Sequence, residues 1–429
     1  MQPEKPSFRE AFLFWLKLGF ISFGGAVGQI AIMHEFLVTR KKWISESKFM
    51  HALNYCMFLP GPEAQQLATY TGWLLHGTKG GVVAGIFFVL PSVILLLLLS
   101  ALYVSSQQIG WLNSIFYGLK PAVVAIVILA SWKISKKALK KPLYYVIALV
   151  IFCSIFFFKI SFLLLMAITL LFALIQGIMF KSDEETTSFF DKSETIYYIN
   201  AFTINESHVS IISIFKKVLI AVLLWVVPYV ALLFLSHNFT FWNELIVFFT
   251  KTAFVTFGGA YAVLPYVAQV AVEDLNWLSA TEMIDGLALG ETTPGPLVMV
   301  LAFVGFMSGY NLFENSLLMG SAALLITTYY TFLPCFLFIF VGAPIIEKTR
   351  NNAVFKTVLS TITAAVVGLI VNLAFYLGGE VIVTQNQPDW LSVFWILVSI
   401  AVLQLGKVNM ILWILVSAGF GFGTYFFLF

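Results

Sequence analysis

Charge is what this sequence has least of. Only 10% of its 429 residues are Asp, Glu, Lys or Arg, against 60% hydrophobic, and the mean hydropathy is +0.94. That balance excludes a soluble globular domain with an ordinary surface. Cysteine is scarce too. Cys56, Cys153 and Cys335 are scattered without metal-ligand spacing or a disulfide framework, and they read as packing residues. The chain has no His-Glu-x-x-His, no paired catalytic Asp motif and no nucleophile elbow, so no catalytic residue, metal site or cofactor is expected and the chain does not read as an enzyme. The net charge of +3 gives no sign of nucleic-acid binding; in so apolar a chain Lys and Arg report which loops face the cytoplasm. No cleavable leader is expected, because the polar start from Met1 to Glu10 runs into a segment interrupted by Lys17 and two glycines.

What the chain has in abundance is apolar runs long enough to cross a bilayer, roughly 20 residues each. Runs such as Val93 to Leu99 are apolar on every side, unlike the alternating strands of a membrane barrel, so the lipid bilayer is the solvent and the fold is all-α and polytopic. Full spans are read at 80–104, 112–132, 142–158, 160–180, 214–236, 315–343, 354–376, 390–405 and 410–428.

The chain also repeats itself. Ser22-Phe23-Gly24-Gly25-Ala26 returns as Thr256-Phe257-Gly258-Gly259-Ala260, an offset of 234 (257 − 23). The same offset carries Trp43-Ile44-Ser45 onto Trp277-Leu278-Ser279, Pro60-Gly61-Pro62 onto Pro294-Gly295-Pro296, and Lys17 onto Lys251. Eleven of the 41 aligned pairs between 22 and 62 are identical, where composition alone gives roughly two to four. Further on, Pro91 matches Pro334 and Ala122-Val123-Val124 matches Ala365-Val366-Val367 at an offset of 243 (334 − 91). The expected organisation is a first repeat over 1–180, a polar cytoplasmic linker over 181–213, an extra transmembrane helix over 214–236, and a second repeat over 237–429.

Loop charge orients the repeats. Lys133, Lys136, Lys137, Lys140 and Lys141 lie in one loop, whereas 105–110 carries no charge; the first loop is placed in the cytoplasm and the second outside. Lys348, Arg350 and Lys356 mark a further cytoplasmic loop, and Lys407 another. Threaded through, the copies have inverted topology, with the N-terminus cytoplasmic and the C-terminus extracytoplasmic. The motif segments 8–38, 47–76, 243–270 and 281–308 are read as helices interrupted at Gly-Gly or Pro-Gly-Pro, either as hairpins returning to one face or as full spans. Inverted repeats with interrupted helices are an architecture of secondary transporters.

Phe23-Gly24-Gly25 with Trp43, the run Leu59-Pro60-Gly61-Pro62-Glu63-Ala64-Gln65-Gln66-Leu67-Ala68-Thr69-Tyr70, and the run from Asp285 to Pro296 together resemble the chromate ion transporter (CHR) family in its long two-domain form. The resemblance covers both halves. It implies efflux of the chromate oxyanion across the cytoplasmic or inner membrane and chromate resistance, with sulfate as the structural analogue; whether proton exchange, sulfate exchange or neither is coupled to it is left open by the sequence. A passive oxyanion channel is the alternative, and a homodimer is compatible with the sequence. Ala26 stands where many members of that family have Pro.

A tetrahedral dianion needs donors and positive charge that do not hold it too tightly. Helix N-termini offer both, and glycine lets backbone approach the ligand. The expected substrate-binding residues are therefore Ser22, Gly24, Gly25 and Gly61 in the first copy and Thr256, Gly258, Gly259 and Gly295 in the second. Gln65, Gln66, Thr292 and Thr293 would act as neutral donors, and Lys17, Lys251 and Lys120 as cations. Pro62 and Pro296 are expected at the first helical position. Glu63 and Glu291 are the expected proton carriers, with Asp285, His51, Tyr261 and Gln29 as weaker candidates and His34 a loop-end residue.

Overall fold

The computed structural model describes residues 5–23, 25–105, 110–179, 196–200, 211–236, 238–257, 259–346, 353–384, 387–406 and 408–428. Gly24, Gly258, Lys348, Arg350, Lys407 and most of the linker, among the positions singled out above, lie outside the described residues.

The first copy opens with α1 (Phe8–Ile21), capped by Ser7, whose side chain accepts from the Glu10 amide. Two residues with non-helical backbone precede α2 (Gly25–His34), which runs into a π-helical turn over Glu35–Arg40. Then come α3 (Glu46–Phe58) and α4 (Glu63–Ser105), the latter kinked at His76 and Gly77, where Gly77 has φ 63. α5 (Gly110–Ala138), α6 (Pro142–Phe156) and α7 (Phe162–Met179) complete the copy, and α8 (Ile211–Leu235) stands between copies. The second copy runs through α9 (Phe239–Val255), α10 (Ala260–Ala268) with a π-helical turn over Gln269–Asp274, α11 (Ala280–Thr292), a 3₁₀ turn over Leu297–Met299, α12 (Val300–Leu312), α13 (Leu317–Ile346) and α14 (Ala353–Ile382). A two-residue strand pair, Val383–Thr384 with Gln387–Pro388, leads to α15 (Trp390–Leu405) and α16 (Met410–Leu428).

Among the described residues, six helices are long and apolar enough to cross a membrane: α4, α5, α7, α8, α13 and α14. Shorter apolar helices include α6, α15 and α16. The chain is an all-α, multi-pass membrane protein. α8 has no buried residue and rests against α9 and α13, as expected of a helix whose neighbours are mostly lipid.

Local structure follows the sequence offset closely. Both π-helical turns, the left-handed Lys42 (φ 54) and Asn276 (φ 50), and the Ser45 and Ser279 caps are all related by 234. Each motif segment is a hairpin. Glu10 pairs with Lys41 at 2.8 Å, and the Phe14 ring meets Phe36 and Trp43, so α1 and α2 run back along one another. In the second copy the Phe241 and Phe248 rings meet Trp277 in the same way. The first arms, α1, α3, α9 and α11, have 14, 13, 17 and 13 residues and are about 20–26 Å long, short of a hydrocarbon core of about 30 Å. The Gly-Gly and Pro-Gly-Pro tips therefore end inside the bundle.

Candidate functional site

The tips meet across the copies. Gly295 N–H donates to the Ser22 carbonyl at 2.7 Å, and Gly61 N–H donates to the Thr256 carbonyl at 2.6 Å. Each Pro-Gly-Pro thus docks on the Gly-Gly break of the other copy. Local backbone explains why those carbonyls are free: Ser22 and Thr256 end their helices with ψ 69 and ψ 91, and each hydroxyl turns back on its own helix, to Leu18 O and Thr252 O, both at 2.6 Å. Glycine is required on the donor side, since Gly61 has φ 119 and Gly295 φ 101, a region that costs other residues about 1–2 kcal/mol.

A second reciprocal pair locks the same junctions. Ser92 Oγ donates to the Pro294 carbonyl, and its counterpart at offset 243, Cys335, packs its sulfur against Gly61. Cys335 packs, as its scattered position suggested, whereas nothing had singled out Ser92. The signal was there, because each follows the proline, Pro91 or Pro334, that established the second offset. Gln29 Nε2 donates to the Ser22 and Gly295 carbonyls and is buried, a more central place than the sequence indicated.

The donors are not arranged as the motifs suggested. The Gly61 and Gly295 amides are spent on the cross-copy bonds. Pro62 and Pro296 do not occupy the first helical position: Pro62 O accepts from Gln66 N at 3.0 Å and Pro296 caps the 3₁₀ turn, so each precedes its helix, because the preceding glycine's left-handed backbone delays helical geometry by one residue. The amides with no partner within their own helix are those of the first turns of α4, α12's leading 3₁₀ turn, α2 and α10. Those four starts are gathered by the two docking bonds, with α4 packed on α12 and α10 on the 3₁₀ turn.

Around them, Gln65, Gln66 and Thr69 are fully buried. Gln66 Nε2 donates to Pro60 O at 2.6 Å and Gln65 Nε2 to Thr69 Oγ1 at 3.1 Å. The side-chain oxygens of Gln29, Gln65 and Gln66 are buried without a hydrogen bond. Thr292 and Thr293 bond back to Leu289 O and Gly290 O. Glu291 is buried and accepts from Tyr261 OH at 2.5 Å, and Glu63 is half-buried at the first turn of α4. Gly25 and Gly259 have φ 66 and φ 93, with open space where a side chain would stand.

The lysines separate. Lys120 is half-buried on α5 and lies 3.4 Å from Asp285, whose side chain is 4% exposed. Lys17 and Lys251 are exposed. Lys17 sits over the Phe36 ring and shares its outward stripe with Leu13 and Phe20, while Phe254 is exposed one turn from Lys251. These two are not brought into the buried centre. His34 pairs with Glu46 at 2.5 Å at the hairpin ends. His51, on α3, is half-buried. The three cysteines are free thiols, and among the described residues no group of three or more His, Cys, Asp or Glu could hold a metal ion.

Comparison with known proteins places the chain in a family. The chromate transporter family model matches residues 9–176 and 243–422, the two copies. A chromate transport protein of Pseudomonas aeruginosa is 30% identical over 373 residues, covering 86% of this chain and 80% of its own. One of Cupriavidus metallidurans is 27% identical over 378 residues, covering 87% and 84%. An uncharacterized transporter of Methanocaldococcus jannaschii is 27% identical over 418 residues, covering 97% and 94%. No solved structure matches. The chain belongs to the chromate transporter family, whose members are transporters and not enzymes.

Proposed function

We propose that this protein is a secondary transporter that exports chromate across the cytoplasmic membrane, with the oxyanion held where the broken helices of the two copies meet. The observation that carries the reading is the reciprocal docking of Gly295 on Ser22 and Gly61 on Thr256. It gathers four helix starts, each presenting unpaired amides and roughly half a positive charge, at a depth where water is scarce. Four such ends offset a dianion without a fixed ligand shell, which favours release as well as capture. Gly25 and Gly259 leave room for the ion, Gln65 and Gln66 can turn amide donors toward it, and Lys120 adds a full charge.

Inverted topology is part of the proposal. Five crossings, by the second arm of α4 and by α5, α6, α7 and α8, separate the two hairpin pairs. In support, a cavity of about 220 Å³ joins the α6–α7 turn at Lys159 to the hairpin end at Glu273 in the second copy, whereas the first copy's hairpin ends lie beside Tyr198 and Ile199, which follow α7. An odd number of crossings puts these ends on opposite faces. Hairpin pairs opening to opposite faces around one junction are what alternating access requires. Glu63 and Glu291, beside the helix starts, are the groups proposed to couple proton movement to that of the anion.

The test is uptake of labelled chromate into inverted membrane vesicles, with and without an imposed pH gradient. Accumulation above the electrochemical gradient that depends on the pH gradient supports coupled export. Flux that only dissipates the gradient indicates a channel, and absence of flux for chromate and sulfate rejects oxyanion transport.

A further inference from the structure

The ion pair that joins the copies at membrane depth has features of a switch more than of a structural clamp. Lys120 lies ten residues into α5, about 15 Å along it, and α5 is the most buried of the spans. Its partner Asp285 comes from α11 of the other copy, and Tyr103 of α4 donates to Asp285 Oδ2 at 2.9 Å. The other carboxylate oxygen, Oδ1, is buried without a hydrogen bond. It faces Lys120 Nζ at 3.4 Å, well beyond the roughly 2.7–2.9 Å of a charge-assisted hydrogen bond. The lysine side chain keeps 22% of its surface open. A buried carboxylate is thus held by one hydrogen bond and a loose cation, and that cation can still be reached.

We propose that Asp285 is an internal counter-anion that occupies Lys120 until a substrate oxyanion displaces it, with one proton taken up on Asp285 as the exchange occurs. The inference rests on the reading that the chain carries an oxyanion. Removing the lysine's charge from a buried carboxylate is strongly unfavourable, so once Lys120 turns to the oxyanion the carboxylate takes a proton from water and becomes a neutral acid. Tyr103 can continue to donate to it. The charged and titratable groups acting on Asp285 are Lys120 from α5, Tyr103 from α4 and Glu282, one turn earlier on α11. α12, α14 and α16 also pack on α11 and, among the described residues, add no charge to that set. Neither copy holds a duplicate, since the position matching Asp285 is His51 and that matching Lys120 is Thr363. The device is single, one per transporter.

Two consequences follow for binding. Protonation of Asp285 releases Lys120, so oxyanion affinity rises as pH falls. A neutral residue at 285 leaves Lys120 permanently free, so affinity rises and the proton taken up at Asp285 is lost.

The test is calorimetric titration of chromate, with redox-inert sulfate in parallel, into the purified full chain in buffers of different ionisation enthalpy, which counts protons bound per ion. Asp285→Asn is expected to take up about one proton fewer per oxyanion than wild type, with affinity about tenfold tighter near neutral pH. Asp285→Asn binding with wild-type affinity and wild-type proton uptake would overturn the inference while leaving oxyanion transport intact. No binding of either ion by wild type would instead remove the transport reading, and this inference with it. If Asp285→Asn is not recovered folded, Tyr103→Phe serves: it keeps the ion pair, weakens the carboxylate, and is expected to tighten binding several-fold and to flatten its pH dependence. Unchanged affinity and pH dependence in Tyr103→Phe would overturn the proposal equally.

Discussion

The amide of Gly295 donates to the carbonyl of Ser22 at 2.7 Å, and the same bond is made in mirror fashion by Gly61 and Thr256 at 2.6 Å. Both bonds need a left-handed donor residue, and both donors are enclosed. A Cβ at Gly61 would lie 2.7 Å from Cys335 Sγ and 2.8 Å from Gln66 Nε2, and one at Gly295 would overlap Ser92 Oγ.

Gly61→Ala and Gly295→Ala are therefore expected to cost at least about 1–3 kcal/mol each in backbone strain, and to abolish chromate transport even where protein reaches the membrane. Gly379→Ala, on α14 with nothing near its Cβ, is the control and should be silent. Vesicle flux normalised to protein level checks this; equal tolerance at all three positions would mean the docking bonds carry no function.

Ser92→Ala removes the hydroxyl that bonds Pro294 O, leaving a buried carbonyl with one partner fewer, at a cost of about 1–3 kcal/mol. Cys335→Ser places a hydroxyl at the corresponding position beside Gly61 and should be well tolerated. Thermal unfolding in detergent is the readout, and a larger loss for Cys335→Ser than for Ser92→Ala would contradict the reciprocal arrangement.

Transport should rank the lysines by burial. Lys120→Ala is expected to abolish flux, whereas Lys17→Ala and Lys251→Ala, on outward stripes with apolar neighbours, should lower it by less than about tenfold. Lys136→Ala, at the end of α5 beside Trp132, should have the least effect. A loss for Lys17→Ala as large as for Lys120→Ala would return the exposed pair to the binding site.

Glu63→Gln and Glu291→Gln mimic the protonated acid. A carboxylate beside the helix starts repels an anion, so protonation favours oxyanion binding as pH falls; each Gln variant should hold flux near its low-pH level and flatten the profile at higher pH. A profile identical to wild type would remove that residue from coupling.

The interruptions were legible in the sequence because Gly-Gly and Pro-Gly-Pro leave the same letters in both copies, whereas the choice between hairpin and full span was not, since arm length and packing decide it. The bonds by which one copy's tips dock on the other's were not legible, because they run between backbone amides and carbonyls and need no particular side chain on the acceptor. Lys120, Asp285 and Tyr103 were harder to join, since no counterpart in the other copy marks them as a group. The outward turn of Lys17 depends on how α1 is rotated against α4, which its own spacing does not decide: the buried Phe14, Trp15 and Leu18 face the bundle and carry Lys17 away from it.

The most direct test of the account is the position of chromium itself, located by its anomalous scattering in crystals of the full chain grown with chromate. A peak is expected among the first turns of α2, α4, α10 and α12. A peak confined to the cavity beside Lys159 and Glu273, or on the exposed stripe of Lys17, with the helix starts empty, would contradict it.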